Sequence, residues 1–411
     1  LGNGCIGVSF RTSLKQDVLL VRVRSAMIKA RFFAPIIAAT VIDDLDDVWK
    51  KEWRYYPFEE AGVNAPSVRF DAWLDHVLEV RTEPISLDDL VIETDHMVLP
   101  YKFQQADGTT IDSLVRFYLL LGGVDGDQGL VMHGPHLIMD AKPIMRLLDF
   151  ILQHVVDPTS GPGIGEWGEE WRNLPVGALT ATGGARDDWD TRGVALQKEI
   201  MGVRVSAVPS LTLEPSRPTI TNAGAMHRVR ETIDEATSRE IMAQLKERGF
   251  SVTYLFDAAI AMSVLNSVKD SGGSISEDAH ITIDPAIIGQ DRFRVPQYNH
   301  VGQLATGVCF APIKILAKDM EGKPTACEQL IHMMEVIKEQ YLCLVSNPNL
   351  AHLNAADKGG RNTDGFLRFV LGRRTSANTN IGRVEDVIKT DHEVVKPLSL
   401  AIGHRLSWKQ P

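Results

Sequence analysis

The chain has 411 residues, of which 44% are hydrophobic and 23% charged, a composition ordinary for a globular enzyme and long enough to bury large cores. Its formal net charge of -10 excludes a non-specific binder of nucleic acid or of anionic membranes, both of which need basic patches. It leaves room for an anionic small molecule held in a local basic pocket. The four cysteines, Cys5, Cys309, Cys327 and Cys343, form no C-x-x-C pair, which argues against a zinc knuckle and fits a reducing compartment.

From the start of the chain, LGNGCIGVSF lacks the basic-then-apolar pattern of a signal peptide, and the apolar stretch from Phe32 to Ile42 is far short of a membrane span. With no N-x-S/T acceptor in the sequence, the expected location is cytoplasmic. DDLDD, Asp43 to Asp47, reads as acidic residues favoured near a helix N-terminus, and VWKKEWRYYP as a helix end stopped by Pro57. Ser113 falls in an alternating pattern and reads as a strand residue. LVRFYLLLGG, Leu114 to Gly123, reads as a strand closed by the turn residues of GGVDGDQG, and GLVMHG as a second strand. After Asp140, Ile144, Leu147, Leu148, Ile151 and Leu152 recur at helical intervals. The clearest break is SAVPSLTLEPSRP, Ser206 to Pro218, whose three prolines preclude a long regular element and suggest an extended crossover. It divides the chain into an N-terminal half, 1–208, and a C-terminal half, 218–411.

In the second half, Thr237 and Glu240 have capping-box spacing before IMAQLKERG, and Gly249 is a natural stop. SVTYLFDAAIAMSVLNSV is a mostly apolar helix. QLATGVCFAPIKI and FLRFVL read as strands, and Thr325 with Glu328 opens a helix running towards Tyr341 with Met333 and Met334 in its core face. Helices and strands mix in both halves, which gives an α/β (α+β) class with mixed sheets.

One segment carries chemistry: GLVMHGPHLIMDAKPIMRLLDFIL. A strand ends in a Gly-Pro turn, His136 follows, Asp140 stands four residues on, and a helix begins. A hydroxyl is a poor nucleophile until a base takes its proton, and neutral imidazole titrates in the range where it can accept that proton and return it. In such a site Asp140 is a scaffold paired with an arginine, not a second base, and the transition state needs donors for its oxyanion. Twelve histidines make about one H-x-x-x-D expected by chance, and a second does occur at His280 and Asp284, in a strand-like pattern with no helix after it. On local features two readings of His136 stand side by side: a catalytic base, or a satisfied histidine in a strand-to-helix turn. Other motifs are weaker. Asp187, Asp188 and Thr191 approach the second metal motif of terpene cyclases, but Ala195 replaces the required Glu; GPGIG, 161–165, and GKPT, 322–325, are loops and not phosphate cradles.

Further segments resemble the chloramphenicol-acetyltransferase-like, condensation-domain superfamily. GPHLIMDA with its helix is similar to the active-site motif of that group, EWRYYP to its early Arg-then-Pro segment, and GEWGEEWRNLP to a stretch downstream of the histidine in fungal members. RGFSVTYLFDAAIAMSV resembles the helix opening the second half, and SANTNIGRVEDVI the late N-x-G-R segment. Within that group these segments resemble the fungal O-acetyltransferases, such as trichothecene 15-O-acetyltransferase. The resemblance implies two similar halves with an active-site channel between them, His136 as general base, Asp140 as its structural partner, and Ser376, Asn380, Gly382 and Arg383 near the channel as substrate-binding residues. It implies no permanently bound cofactor and no metal, acetyl-CoA or another acyl-CoA as co-substrate, and a terpenoid or polyketide alcohol as acceptor; a monomer suffices. The sequence departs from the family pattern at Pro135, where a first histidine is common, with His133 three residues back, and at Ala141, where Gly is usual. The alternatives are a carrier-protein thioester as donor and a donor-free cyclase or ligand chamber on the same fold.

Overall fold

The computed structural model describes residues 2–43, 51–57, 70–104, 110–123, 126–136, 138–160, 163, 165–184, 186–204, 206, 208, 210–213, 229–283, 286–288, 293–304, 308–320, 323–353, 378–389 and 393–405. In chain order the elements are β1 (Asn3–Thr12), α1 (Gln16–Phe33), β2 (Thr40–Asp43), β3 (Lys51–Arg54), α2 (Phe70–Val77), β4 (Leu78–Arg81), α3 (Leu87–Thr94), β5 (Tyr101–Gln104), β6 (Thr110–Ser113), β7 (Arg116–Leu120) and β8 (Gln128–Pro135). They continue with α4 (Ala141–Val156), α5 (Ala178–Ala181), α6 (Val194–Arg204), α7 (Glu235–Glu247), α8 (Val252–Asp270), β9 (His280–Ile283), β10 (Ala286–Ile288), β11 (Val308–Phe310), β12 (Ile313–Leu316), α9 (Ala326–Ser346) and β13 (Val395–Arg405).

The first sheet runs β13-β1-β8-β7-β4, with β4 and β7 parallel and the other pairs antiparallel. Strand alternation explains its two faces. Ile6, Val8 and Phe10 of β1, with Leu130 and Met132 of β8, turn to one core; Cys5 and Val131 turn to the other, where they meet Leu90 and Val91 of α3 and Tyr118. The first core is closed by α1 and α4. The expected helical spacing in α4 is the buried stripe Ile144, Leu147, Leu148, Ile151, Leu152 and Val155, and it packs on Leu19, Val23, Met27 and Ala30 of α1. Burying each large side chain of such a stripe stabilises by about 1.5–3 kcal/mol, which fixes α4 firmly behind the turn that precedes it. β13 comes from the far end of the chain, yet it pairs with β1 along its length.

A second core joins α8 and α9 to the β9–β12 pair through Ala258, Ala261, Leu265, Ile281, Ile283, Ile313, Ile315, Met333, Met334 and Ile337. Ser251 caps α8 by accepting the Tyr254 N–H, and Thr325 and Glu328 form the expected capping box of α9. Among the described residues no single helix is long and apolar enough to cross a membrane.

The structure differs from the sequence expectations in four places. KEWR forms β3 in a hairpin with β2, not a helix end; aromatic Trp53 suits a strand, and pairing with Thr40–Asp43 supplies the hydrogen bonds a helix would have made internally. Helix α7 begins earlier than expected, because Asp234 and not Thr237 is the N-cap, accepting the Thr237 N–H at 2.9 Å; Gly249 does follow its end, at φ +67°. QLATGVCFAPIKI is broken by Ala311-Pro312 into β11 and β12, which pair with different partners. Of the crossover expected at 206–218, Ser210 makes a parallel bridge to His280, and the Leu211 N–H reaches the His280 carbonyl at 2.7 Å, so part of it adds to β9. FLRFVL, 366–371, and most of DDLDD lie outside the described residues.

Candidate active site

Strand β8 delivers the backbone to Pro135, and the chain then turns sharply. The His136 N–H donates to the Gly2 carbonyl at 2.8 Å, the Ile138 N–H to the Pro135 carbonyl at 3.0 Å, and the Met139 N–H to the His136 carbonyl at 3.3 Å. Ile138 and Met139 drop into the first core, so the turn is pinned by burial on one side and by β1 on the other. A glycine is required opposite it: a Cβ on Gly4 would stand 2.9 Å from the Met139 Cβ. His136 is left half-buried at the crest of the turn.

Asp140 is the N-cap residue of α4 and is buried, and its carbonyl accepts the Ile144 N–H at 3.1 Å. Its carboxyl makes no cap bond to the helix. The sequence supplies a reason: the third helical residue is Pro143, so one of the usual N–H donors is missing. Facing His136 is the ring of His404 from β13, with centroids 4.1 Å apart and planes at 73°. His404 is reached by solvent yet crowded enough to lose hydration; burial, then the charge of His136, push its pKa down to about 4.

His133 belongs elsewhere. It points to the opposite face of β8, hydrogen-bonded through Nδ1 to the Tyr101 hydroxyl, which lies 3.3 Å from that of Tyr118. The Arg116 guanidinium stacks 4.2 Å from the Tyr101 ring. Burial, and then Arg116, push the His133 pKa down to about 4, so it is a neutral structural histidine at ordinary pH.

The segment with Asn380, Gly382 and Arg383 links the two cores. Asn378 donates to the Asp257 carboxyl on α8 at 2.9 Å, and Asn380 donates to the Thr253 hydroxyl on the same helix at 2.9 Å. The Asn380 side-chain Oδ1 accepts the Gly382 N–H at 2.8 Å, which sets a turn that Gly382 completes at φ +77°. Both ends of the Asn380 amide are thus engaged in holding the segment. Arg383 is exposed, 4.0 Å from Asp386. A few residues on, the Lys389 N–H reaches Asp149 of α4 at 2.8 Å. Ser376 lies outside the described residues.

Two residues of this region were not singled out from sequence. Asp257 is fully buried, its Oδ2 has no hydrogen-bond partner among the described residues, and burial pushes its pKa up to about 6. A lone charge inside VTYLFDAAIAM was the available signal. His404 had no local signal, because only strand register brings it to the turn.

His280 is a buried residue of β9, and Asp284 lies outside the described residues. Asp188 accepts from Arg186 at 2.9 Å, and that hydrogen bond holds its carboxyl below the usual range. The Ser113 hydroxyl donates to the Val115 carbonyl at 2.8 Å. No group of His, Cys, Asp and Glu among the described residues could hold a metal ion.

No family model matches the sequence, and no curated protein matches it by sequence. Solved structures do. Trichothecene 15-O-acetyltransferase from Fusarium sporotrichioides superposes with a TM-score of 0.74 at 19% identity, over 99% of this chain and 82% of that one. Polyketide synthase associated protein 5 from Mycobacterium tuberculosis gives 0.57 at 12% identity, over 98% and 83%. The first condensation domain of the CDA synthetase gives 0.58 at 10%, over 98% and 78%. The chain has the mixed α/β, chloramphenicol-acetyltransferase-like fold that this O-acetyltransferase and this condensation domain share.

Proposed function

We propose that this chain is an acyltransferase that moves an acyl group, most simply acetyl, from coenzyme A to a hydroxyl of a terpenoid or polyketide alcohol. The observation that carries the reading is the placement of His136: a half-buried imidazole on a turn clamped to β1, with a buried Asp140 at the start of the following helix, on a fold shared with an O-acetyltransferase. In this reading a channel between the halves admits thioester and alcohol from opposite faces. His136 takes the hydroxyl proton, and the oxygen forms a C–O bond to the thioester carbonyl carbon. The C–S bond breaks, and the imidazolium returns its proton to the leaving thiolate. Asp140 holds the turn in place and takes no proton. No resident cofactor or metal is needed for these steps.

The test is thiol release from acetyl-CoA, with mass spectrometry of products from a panel of terpenoid and polyketide alcohols. His136→Ala should abolish turnover, a loss of at least a thousandfold, while the melting temperature stays close to that of the unsubstituted chain. Near-normal turnover in that variant would exclude the mechanism. A second reading, an acyl group on a carrier protein as donor, is favoured by the likeness to a condensation domain. Transfer from an acyl carrier but not from acetyl-CoA would select it.

A further inference from the structure

The last strand carries a second imidazole to the proposed base. β13 runs antiparallel to β1 with His404 opposite Gly4, and β8 runs along the other edge of β1 with Gly134 opposite the same glycine. The turn that follows β8 and the end of β13 therefore flank one residue that has no side chain. A Cβ at Gly4 would meet Met139 at 2.9 Å, so the glycine lets the turn lie against β1. The His136 ring then reaches the His404 ring, at 4.1 Å between centroids and 73° between planes.

This meeting is not a chance of side-chain placement. Leu400 and Ile402 lie on the same face of β13 as His404, and both pack on the core under α1 and α4. Their burial sets which face His404 presents, because a slip of one residue would move both off that core to the opposite face, against α3, and put Gly403 in the place of His404. The edge-to-face arrangement suits two aromatic rings in direct contact. It also limits rotation of the His136 ring, and proton transfer requires that ring to aim one nitrogen at the hydroxyl. His404 stays neutral at ordinary pH, so it presents no second cation when His136 takes up a proton.

We propose that His404 is a positioning residue of the His136 site: its ring, presented by the final strand, holds the His136 imidazole in the orientation from which it takes the acceptor proton. The proposal rests on the reading of His136 as the base. It makes the site dependent on β1, which lies between β8, the strand that leads to His136, and β13, the strand that carries His404.

The test uses the full chain and three variants: His404→Ala, His404→Phe and His136→Ala. Acetyl-CoA cleavage is followed with the best alcohol of the panel, or with water as acceptor, and histidine ring resonances are followed by NMR. His404→Ala should lower kcat tenfold or more while the KM for acetyl-CoA moves less than threefold, and the His136 ring resonances should shift. His404→Phe keeps an aromatic edge against His136 and should recover kcat to within threefold. An unchanged kcat and unmoved His136 resonances in His404→Ala would overturn the positioning role. So would a Phe variant as slow as the Ala variant. Loss of activity in His136→Ala beside normal activity in His404→Ala sinks this proposal alone, whereas full activity in His136→Ala sinks the base as well.

Discussion

Single residues here show how burial decides charge. Asp257 sits on α8 with one oxygen held by Asn378, and losing water costs its ionised form more than that bond returns. Its folded-state pKa, about 6, lies above the ordinary carboxylate value, so the folded chain binds the proton more tightly than the unfolded one. Its contribution is fully present below the unfolded value and is lost as pH rises through 6, at most about 3 kcal/mol for a shift of this size. Asp257→Asn keeps an acceptor for Asn378 and never ionises. The variant should melt higher than the unsubstituted chain at pH 8, by up to several degrees, and by only about half as much at pH 5, which lies between the unfolded and folded values. Thermal melts at the two pH values check this; an equal change at both would show that charge is not the cause. His404 and His133 carry the opposite sign. Their lowered values mean that they withhold stability only in acid, as pH falls from the ordinary histidine range towards 4.

At the scale of elements, helix α4 does two jobs with one sequence. Its apolar stripe anchors it on α1 and β1, and its first turn carries the Asp140 carboxyl while Pro143 withholds a cap donor. The helix is therefore the rigid support of the turn, and loosening it should reach the site. Leu148 is fully buried in that stripe. Leu148→Ala removes its packing and leaves a cavity, which should cost about 2–5 kcal/mol in denaturant unfolding. A loss below about 1 kcal/mol would show that α4 is less tightly supported than its burial implies. The segment 378–389 is the corresponding tie on the other side, fastened to α8 through Asn378 and Asn380 and to α4 through Lys389.

For the whole molecule, the decisive connection is β13 on β1. Ten register pairs, from Asn3 with Arg405 to Thr12 with Val395, join the two ends of the chain in one sheet. Without β13, β1 would become a long edge with a row of unpaired N–H and C=O groups, and Ile6 and Val8 would lose the cover of Leu400 and Ile402. A chain ended after Val394 should therefore associate or precipitate, visible by size exclusion with light scattering. A monodisperse truncated monomer with an unchanged melting temperature would contradict this.

Much of the architecture was legible in the sequence, because the relevant signals are local. Helix spacing after Asp140, the Thr325–Glu328 box, the apolar run of α8 and the strand pair around GGVDGDQG each depend on neighbours within a turn or a hairpin. His136 and Asp140 stood out for the same reason: one short strand-turn-helix segment contains both. What failed was also local in cause. KEWR has a helical look until β2 offers it partners, and the start of α7 depended on which of two acceptors, Asp234 or Thr237, reached the first free N–H. The tertiary structure alone decided that His404 stands beside His136, that Asp257 and Asn378 meet, and that β13 pairs with β1 in the first sheet. These contacts join residues remote in sequence, and their register is chosen by the burial of whole strand faces, a quantity that no window along the chain contains.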